Sequence, residues 1–135
     1  MADGETRDPA PEPPDPDRLL TDFAARVPGV LRAAVVASDG VLVAASDRAQ
    51  PDQLEQLSAI TAGLTGLAGA AGMFGGGAVN QALVAMAQGT LAIMAIDQGS
   101  SLAVLTTATA DLDSVGYEMT MLVEEAGSIF VQPVR

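Results

Sequence analysis

The residues that do chemistry in proteins are scarce in this chain, and those present are scattered. Among its 135 residues there is no His and no Cys. That removes the commonest general base and metal ligand, together with thiolate nucleophiles, thiolate metal sites and disulfides. Ser100-Ser101 has no histidine to activate a hydroxyl. The run Gly75-Gly76-Gly77 lacks the Lys and Ser/Thr that follow the glycines of a nucleotide-phosphate loop, so it reads as a flexible stop to a helix. Asp39 and Asp97 fall in short turn-like segments, where a carboxylate bonds its own backbone; turn chemistry is their expected role. Arg32 or Arg48 has the chemistry of an arginine finger for a GTPase, yet nothing around either one singles it out. The chain is therefore expected to carry no catalytic residue, no metal and no cofactor, and to work by binding.

Charge narrows the partners. The formal net charge is −11 and all six basic residues are Arg, so electrostatic attraction to nucleic acid or to an anionic membrane is disfavoured. No basic stretch followed by an apolar run opens the sequence, so no signal peptide is read. The expected setting is the cytoplasm, with any membrane recruitment left to a partner. The length suits one domain with its own core.

The element that must position any binding surface is the stretch from Pro51 to Gly77, which reads as one long helix. After Glu55 it holds no charge, and the next charged residue is Asp97. Laid out at about 100° per residue, it has two unlike faces. Leu57, Ile60, Leu64, Leu67, Ala71 and Phe74 make a large-residue face expected to cover a sheet. Ala59, Ala62, Gly63, Gly66, Gly69 and Ala70, ending at Met73, make a small-residue face that lets a second backbone come close; Ser58, Thr61 and Thr65 add the only polarity. Glycine inside a helix costs about 0.5–1 kcal/mol relative to alanine, so Gly63, Gly66, Gly69 and Gly72 need close packing to offset them. Packing under a loop of the same chain is one alternative. A membrane helix pair is another, since GxxxG-like spacing marks such pairs, but glycine and threonine interrupt the segment. The favoured reading is a helix buried on both sides, in a protein that dimerises through it without entering a membrane.

The remaining segments fit around that helix. Residues 1–17 combine five prolines with six carboxylates and little that is apolar, the composition of a disordered tail. Asp17 is expected to cap a helix through Val27 whose inner face is Leu19, Leu20, Phe23 and Val27. Val30 to Ala37 and Val41 to Ser46 read as a β-hairpin around Ser38-Asp39-Gly40, because Asp-Gly is a strong hairpin signal. Pro51 suits a helix's first turn. Three strands follow, Ala78 to Met86, Thr90 to Ile96 and Ser101 to Thr107, joined by turns short enough to require antiparallel neighbours. Their apolar faces call for helices on both sides of the sheet. The run Ala78 to Met86 has neither the charge nor the proline that usually protects an edge strand, and with Val79, Gln81 and Leu83 it is read as part of the dimer interface. A last helix is expected from Asp111 to Ala126, with Gly127 as its cap and Glu118, Glu124 and Glu125 on a solvated outer face. The domain is thus placed at 18–127, with 128–135 as a short extension.

This order, α-β-β-α-β-β-β-α, resembles the roadblock/dynein light chain family. The segments that carry the resemblance are the hairpin, the helix closed by Phe74-Gly75-Gly76-Gly77, and the motifs Val36-Ala-Ser-Asp-Gly-Val41, Gly99-Ser-Ser-Leu-Ala-Val-Leu105 and Val115-Gly-Tyr-Glu-Met119. The last three look most like the roadblock components of actinobacterial conservon operons. The resemblance implies an α+β, profilin-like three-layer sandwich: a five-stranded antiparallel sheet with the long helix on one face and two helices on the other. It also implies a homodimer formed by the long helices and adjoining strand edges, a small Ras-like GTPase as partner, and a histidine-kinase-like sensor protein as a further one. The function expected is a non-catalytic homodimeric adaptor, with Glu55, Ser58 and Thr65 as partner contacts. A small-molecule-sensing domain and a GTPase-activating protein are the alternatives.

Overall fold

The computed structural model describes residues 15–97 and 99–130; most of the acidic tail and the last five residues lie outside that range. The elements are α1 (Pro16–Arg26), β1 (Val30–Ala37), β2 (Leu42–Ala45), α2 (Pro51–Ala71), β3 (Gln81–Met86), β4 (Gly89–Asp97), β5 (Ser100–Thr107) and α3 (Leu112–Phe130). The strands form one antiparallel sheet in the order β2-β1-β5-β4-β3. The expected α+β architecture is present, with α1 and α3 on one face and α2 on the other.

The β1–β2 turn forms as its residues dictate. Gly40 takes φ +89°, the left-handed region that glycine enters without penalty. Its N–H donates to Ala37 O at 2.9 Å, and Asp39 Oδ1 accepts from Val41 N at 3.1 Å. The strand alternation then sends Ala33, Val35, Leu102 and Val104 toward α1 and α3, where Leu20, Phe23, Met119 and Phe130 close a core.

Two helix ends differ from expectation. Pro16 takes the first helical position of α1, where a missing N–H is harmless, so Asp15 and not Asp17 is the cap, accepting from Asp17 N at 3.0 Å. Asp17 is turned elsewhere. Its Oδ1 accepts from Ala45 N at 3.0 Å and from Arg48 Nη2 at 3.1 Å, and its Oδ2 pairs with Arg48 Nε at 2.5 Å, clasping α1 to β2 and the loop before α2. The Arg48 guanidinium holds the Asp17 carboxyl below its ordinary pKa, with the Ala45 N–H adding to the effect against a partial loss of solvation.

At the other end of the chain, Asp111 caps α3 by accepting from the N–H groups of Asp113 and Ser114 and from Ser114 Oγ. That helix runs through Gly127, the expected cap, to Phe130. Burying a ring the size of Phe130 contributes about 1.5–3 kcal/mol, more than the roughly 1 kcal/mol a helical glycine costs. The folded unit accordingly extends to Phe130 and not only to residue 127. Glu118 is not simply solvated, because Arg26 Nη1 meets its Oε1 at 2.6 Å and ties α1 to α3; Glu124 and Glu125 are exposed as expected.

Candidate interaction surface on the long helix

The helix α2 starts at Pro51, and after Ala71 it tightens into a 3₁₀ turn over Gly72–Phe74. Gly75, at φ +98°, then turns the chain out of it. The residues α2 buries are Leu54, Ser58 and Thr61. Leu57 and Leu64 pack at their side against a narrow ledge of Leu91, Ile93 and Ala103. The helix is therefore rotated by roughly a quarter turn from the expected placement.

Of the six residues assigned to the sheet-covering face, only Leu57 and Leu64 reach the sheet. Ile60 is exposed, as are Leu67 at 72% and Phe74 at 93%. Hydroxyls replace them underneath: Ser58 donates to Leu54 O at 2.9 Å, and Thr65 to Ala62 O at 3.0 Å. Spent on their own helix in this way, Ser58 and Thr65 pack as compact groups.

The two expected faces thus share one outward side. Ala59, Gly63, Gly66, Gly69, Ala70 and Met73 are exposed there and Ala62 is half-buried. A Cβ built on Gly63, Gly66 or Gly69 would meet nothing within 4 Å; nothing in the described chain itself requires glycine at these sites. The side that faces out consists of large apolar knobs, Ile60, Leu67 and Phe74, set beside positions with little or no side chain. By length and composition the span Pro51–Phe74 is also long and apolar enough to cross a membrane, but one flank of it is committed to the protein's own sheet.

Beside α2 lies β3, which pairs only with β4 and is an edge of the sheet. Gln81 and Leu83 are exposed on it, and Gln81–Met86 contains no charge. The strand starts at Gln81 instead of Ala78, so Val79 is half-buried in the preceding loop; Asn80 O still accepts from Ala95 N at 2.9 Å. Ala82 and Val84 share an apolar cluster with Leu57 and Leu64, making the helix and the strand edge one continuous region.

Of the expected partner contacts, Glu55 is exposed, Thr65 is half-buried, and Ser58 is buried beneath the helix, where another protein cannot reach it. Ile60, Leu67 and Phe74 belong to the outward side although their size pointed inward. The signal available in the sequence was their placement next to glycine on the helical wheel. Among the described residues no group of three or more His, Cys, Asp or Glu is arranged to hold a metal ion.

Known proteins share this fold. A family model described as Roadblock/LC7 domain matches residues 16–106. A crystal structure of a Roadblock/LC7 domain from Streptomyces avermitilis is 30% identical, covering 88% of this chain and 100% of that one, with a TM-score of 0.80. A second Roadblock/LC7 domain from the same organism is 37% identical over 81% of this chain and 95% of that one, with a TM-score of 0.68. Myxococcus xanthus MglB shares the fold at 20% identity, covering 85% of this chain and 90% of its own, with a TM-score of 0.70. No curated protein matches the sequence.

Proposed function

Because the chain belongs to the Roadblock/LC7 domain family, we propose that it is a non-catalytic homodimeric adaptor that binds a small Ras-like GTPase and associated signalling components in the cytoplasm. The observation that carries this reading is the outward side of α2, where Ile60, Leu67 and Phe74 stand exposed beside the open positions Gly63 and Gly66. Exposed apolar surface of this kind marks a contact site. A two-fold dimer brings one patch against its own copy, so knobs from one chain enter the glycine positions of the other. Each large side chain buried in this way contributes about 1.5–3 kcal/mol.

The proposed interface comprises Ala59, Ala62, Gly63, Gly66, Gly69, Ala70 and Met73 with Ile60, Leu67 and Phe74 added, together with Val79, Gln81 and Leu83 at the β3 edge. Pairing there would continue the sheet from one copy into the next. Glu55 and Thr65 flank the helix pair and are the proposed GTPase contacts; the histidine-kinase-like sensor is the second proposed partner. Titration with the small Ras-like GTPase encoded nearest to this protein, loaded with GDP or with a GTP analogue, tests the reading. Saturable binding with an unchanged hydrolysis rate is expected. Accelerated hydrolysis would make the protein a GTPase activator instead, and absence of binding in both nucleotide states would remove the GTPase from the account.

A further inference from the structure

Between α2 and the sheet, opening beside Gly66 and Gly69, lies a cavity of about 670 Å³, within the roughly 300–1,000 Å³ typical of small-molecule sites. We infer that it binds an uncharged small molecule with an apolar body and one hydrogen-bonding group, held through the hydroxyl of Thr61. This site differs from the proposed GTPase and dimer contacts in what it recognises, although its lining shares Ala62, Gly66, Gly69, Val79 and Gln81 with the proposed interface and Thr65 with the proposed GTPase contacts.

The observation that points to a ligand is Thr61 itself. It lines the cavity, is only 1% exposed, and its Oγ1 has no hydrogen-bond partner among the described residues. Its neighbours on the same helix behave differently, since Ser58 bonds Leu54 O and Thr65 bonds Ala62 O. Thr21 and Thr120 also bond a carbonyl of their own helix, four residues back. A buried hydroxyl left unpaired is a net loss that valine, of the same shape, would avoid. A ligand carbonyl or hydroxyl reaching Thr61 removes that loss.

The lining sets the ligand's class. Val36, Ala82 and Ile93 supply apolar walls, and no Lys or Arg is among the lining residues. The one charged residue there, Asp97, is exposed, and its Oδ1 already accepts from Gly99 N at 2.8 Å. An anion would enter without a counter-charge and meet a carboxylate at the mouth. A cation would find its partner only at the rim and not near Thr61. An uncharged molecule meets neither penalty.

Acetophenone is a suitable probe, with benzoate as its anionic counterpart of similar shape. Titrated into the ¹⁵N-labelled full chain, acetophenone is expected to produce saturable amide shifts clustered at Thr61, Ala82, Ile93 and Ser101, and benzoate to bind at least tenfold more weakly. Thr61→Val should weaken acetophenone by about fivefold to tenfold, whereas Thr61→Ser should bind as the parent does. A melting temperature for Thr61→Val at or above that of the parent shows that the loss is not one of fold. Shifts that do not saturate, or equal affinity in Thr61→Val, would overturn the site. Light scattering on the same samples keeps this claim apart from self-association: a monomer that still binds acetophenone leaves the site standing and removes the dimer.

Discussion

The two faces of the sheet are finished to very different degrees. On the side of α1 and α3, fourteen buried apolar residues among those described join into one core, with Phe23 and Phe130 fully enclosed. On the side of α2 the buried cluster is Leu91, Ile93 and Ala103, with Ala34, Val36, Ala45 and Leu54 buried around it, while the helix above them turns Leu67 and Phe74 to the outside. One face is complete within a single chain. The other has apolar side chains left over and glycines beside them with nothing in contact, which is the arrangement of a surface whose packing is supplied by another molecule.

This contrast can be broken most forcefully in the core. Phe23→Ala should cost about 3–5 kcal/mol, a large part of a stability that for whole domains is only about 5–15 kcal/mol; urea unfolding measures it. The same truncation at Phe74, 93% exposed, should leave the unfolding of the monomer almost unchanged and weaken self-association. Equal losses at the two rings would mean that the faces are not different in kind.

Next in size is Gly66→Leu. A Cβ added there meets nothing within 4 Å in the described chain, so the fold should persist by circular dichroism while a close helix pair is overpacked, at a cost of about 1–3 kcal/mol. A variant that associates as the parent does would show that this helix face is not the contact.

The smallest expected effect is at the clasp between Asp17 and Arg48, which belongs to neither face. Asp17→Asn should cost about 0.5–1 kcal/mol at neutral pH, as partly exposed ion pairs do. The folded-state pKa of Asp17 lies below its ordinary value, with the Arg48 hydrogen bond the leading cause. Its contribution is therefore present above the unfolded-state pKa and is lost as the pH falls through the depressed one. Thermal melts of parent and variant should differ near pH 7 and converge in strong acid.

The order of elements was legible in the sequence because its signals are local: Asp39-Gly40 at the hairpin, Pro51 at the start of α2, Gly75 at its end, and strands too closely spaced to be parallel. The unprotected strand before Gly89 was legible for the same reason, and it does lie at a sheet edge. The rotation of α2 was not. A helix with leucines on one side and Gly, Ala and Thr on the other, and no charges after Glu55, carries no polar face to show which way is out. The outcome depends on how the sheet meets it, with Ser58 and Thr61 buried underneath and Ile60 and Leu67 left outside. Gly127 misled because a glycine ends a helix only where nothing beyond it needs burial, and Phe130 does. Ile60, Leu67 and Phe74 were assigned to the sheet-covering face but are exposed, since size alone does not show which way a residue on an uncharged helix points. The unpaired hydroxyl of Thr61 could not be foreseen at all, because pairing depends on what the fold brings near it.

The outward side of α2 and the β3 edge are proposed as a self-association surface. Its most direct test is the solution mass of the purified chain by light scattering across a dilution series, with Gly66→Leu measured alongside. Twice the 13.6 kDa chain mass is expected for the parent down to low micromolar concentration, and the mass of a single folded chain for the variant. A parent that is monomeric at every concentration would contradict it.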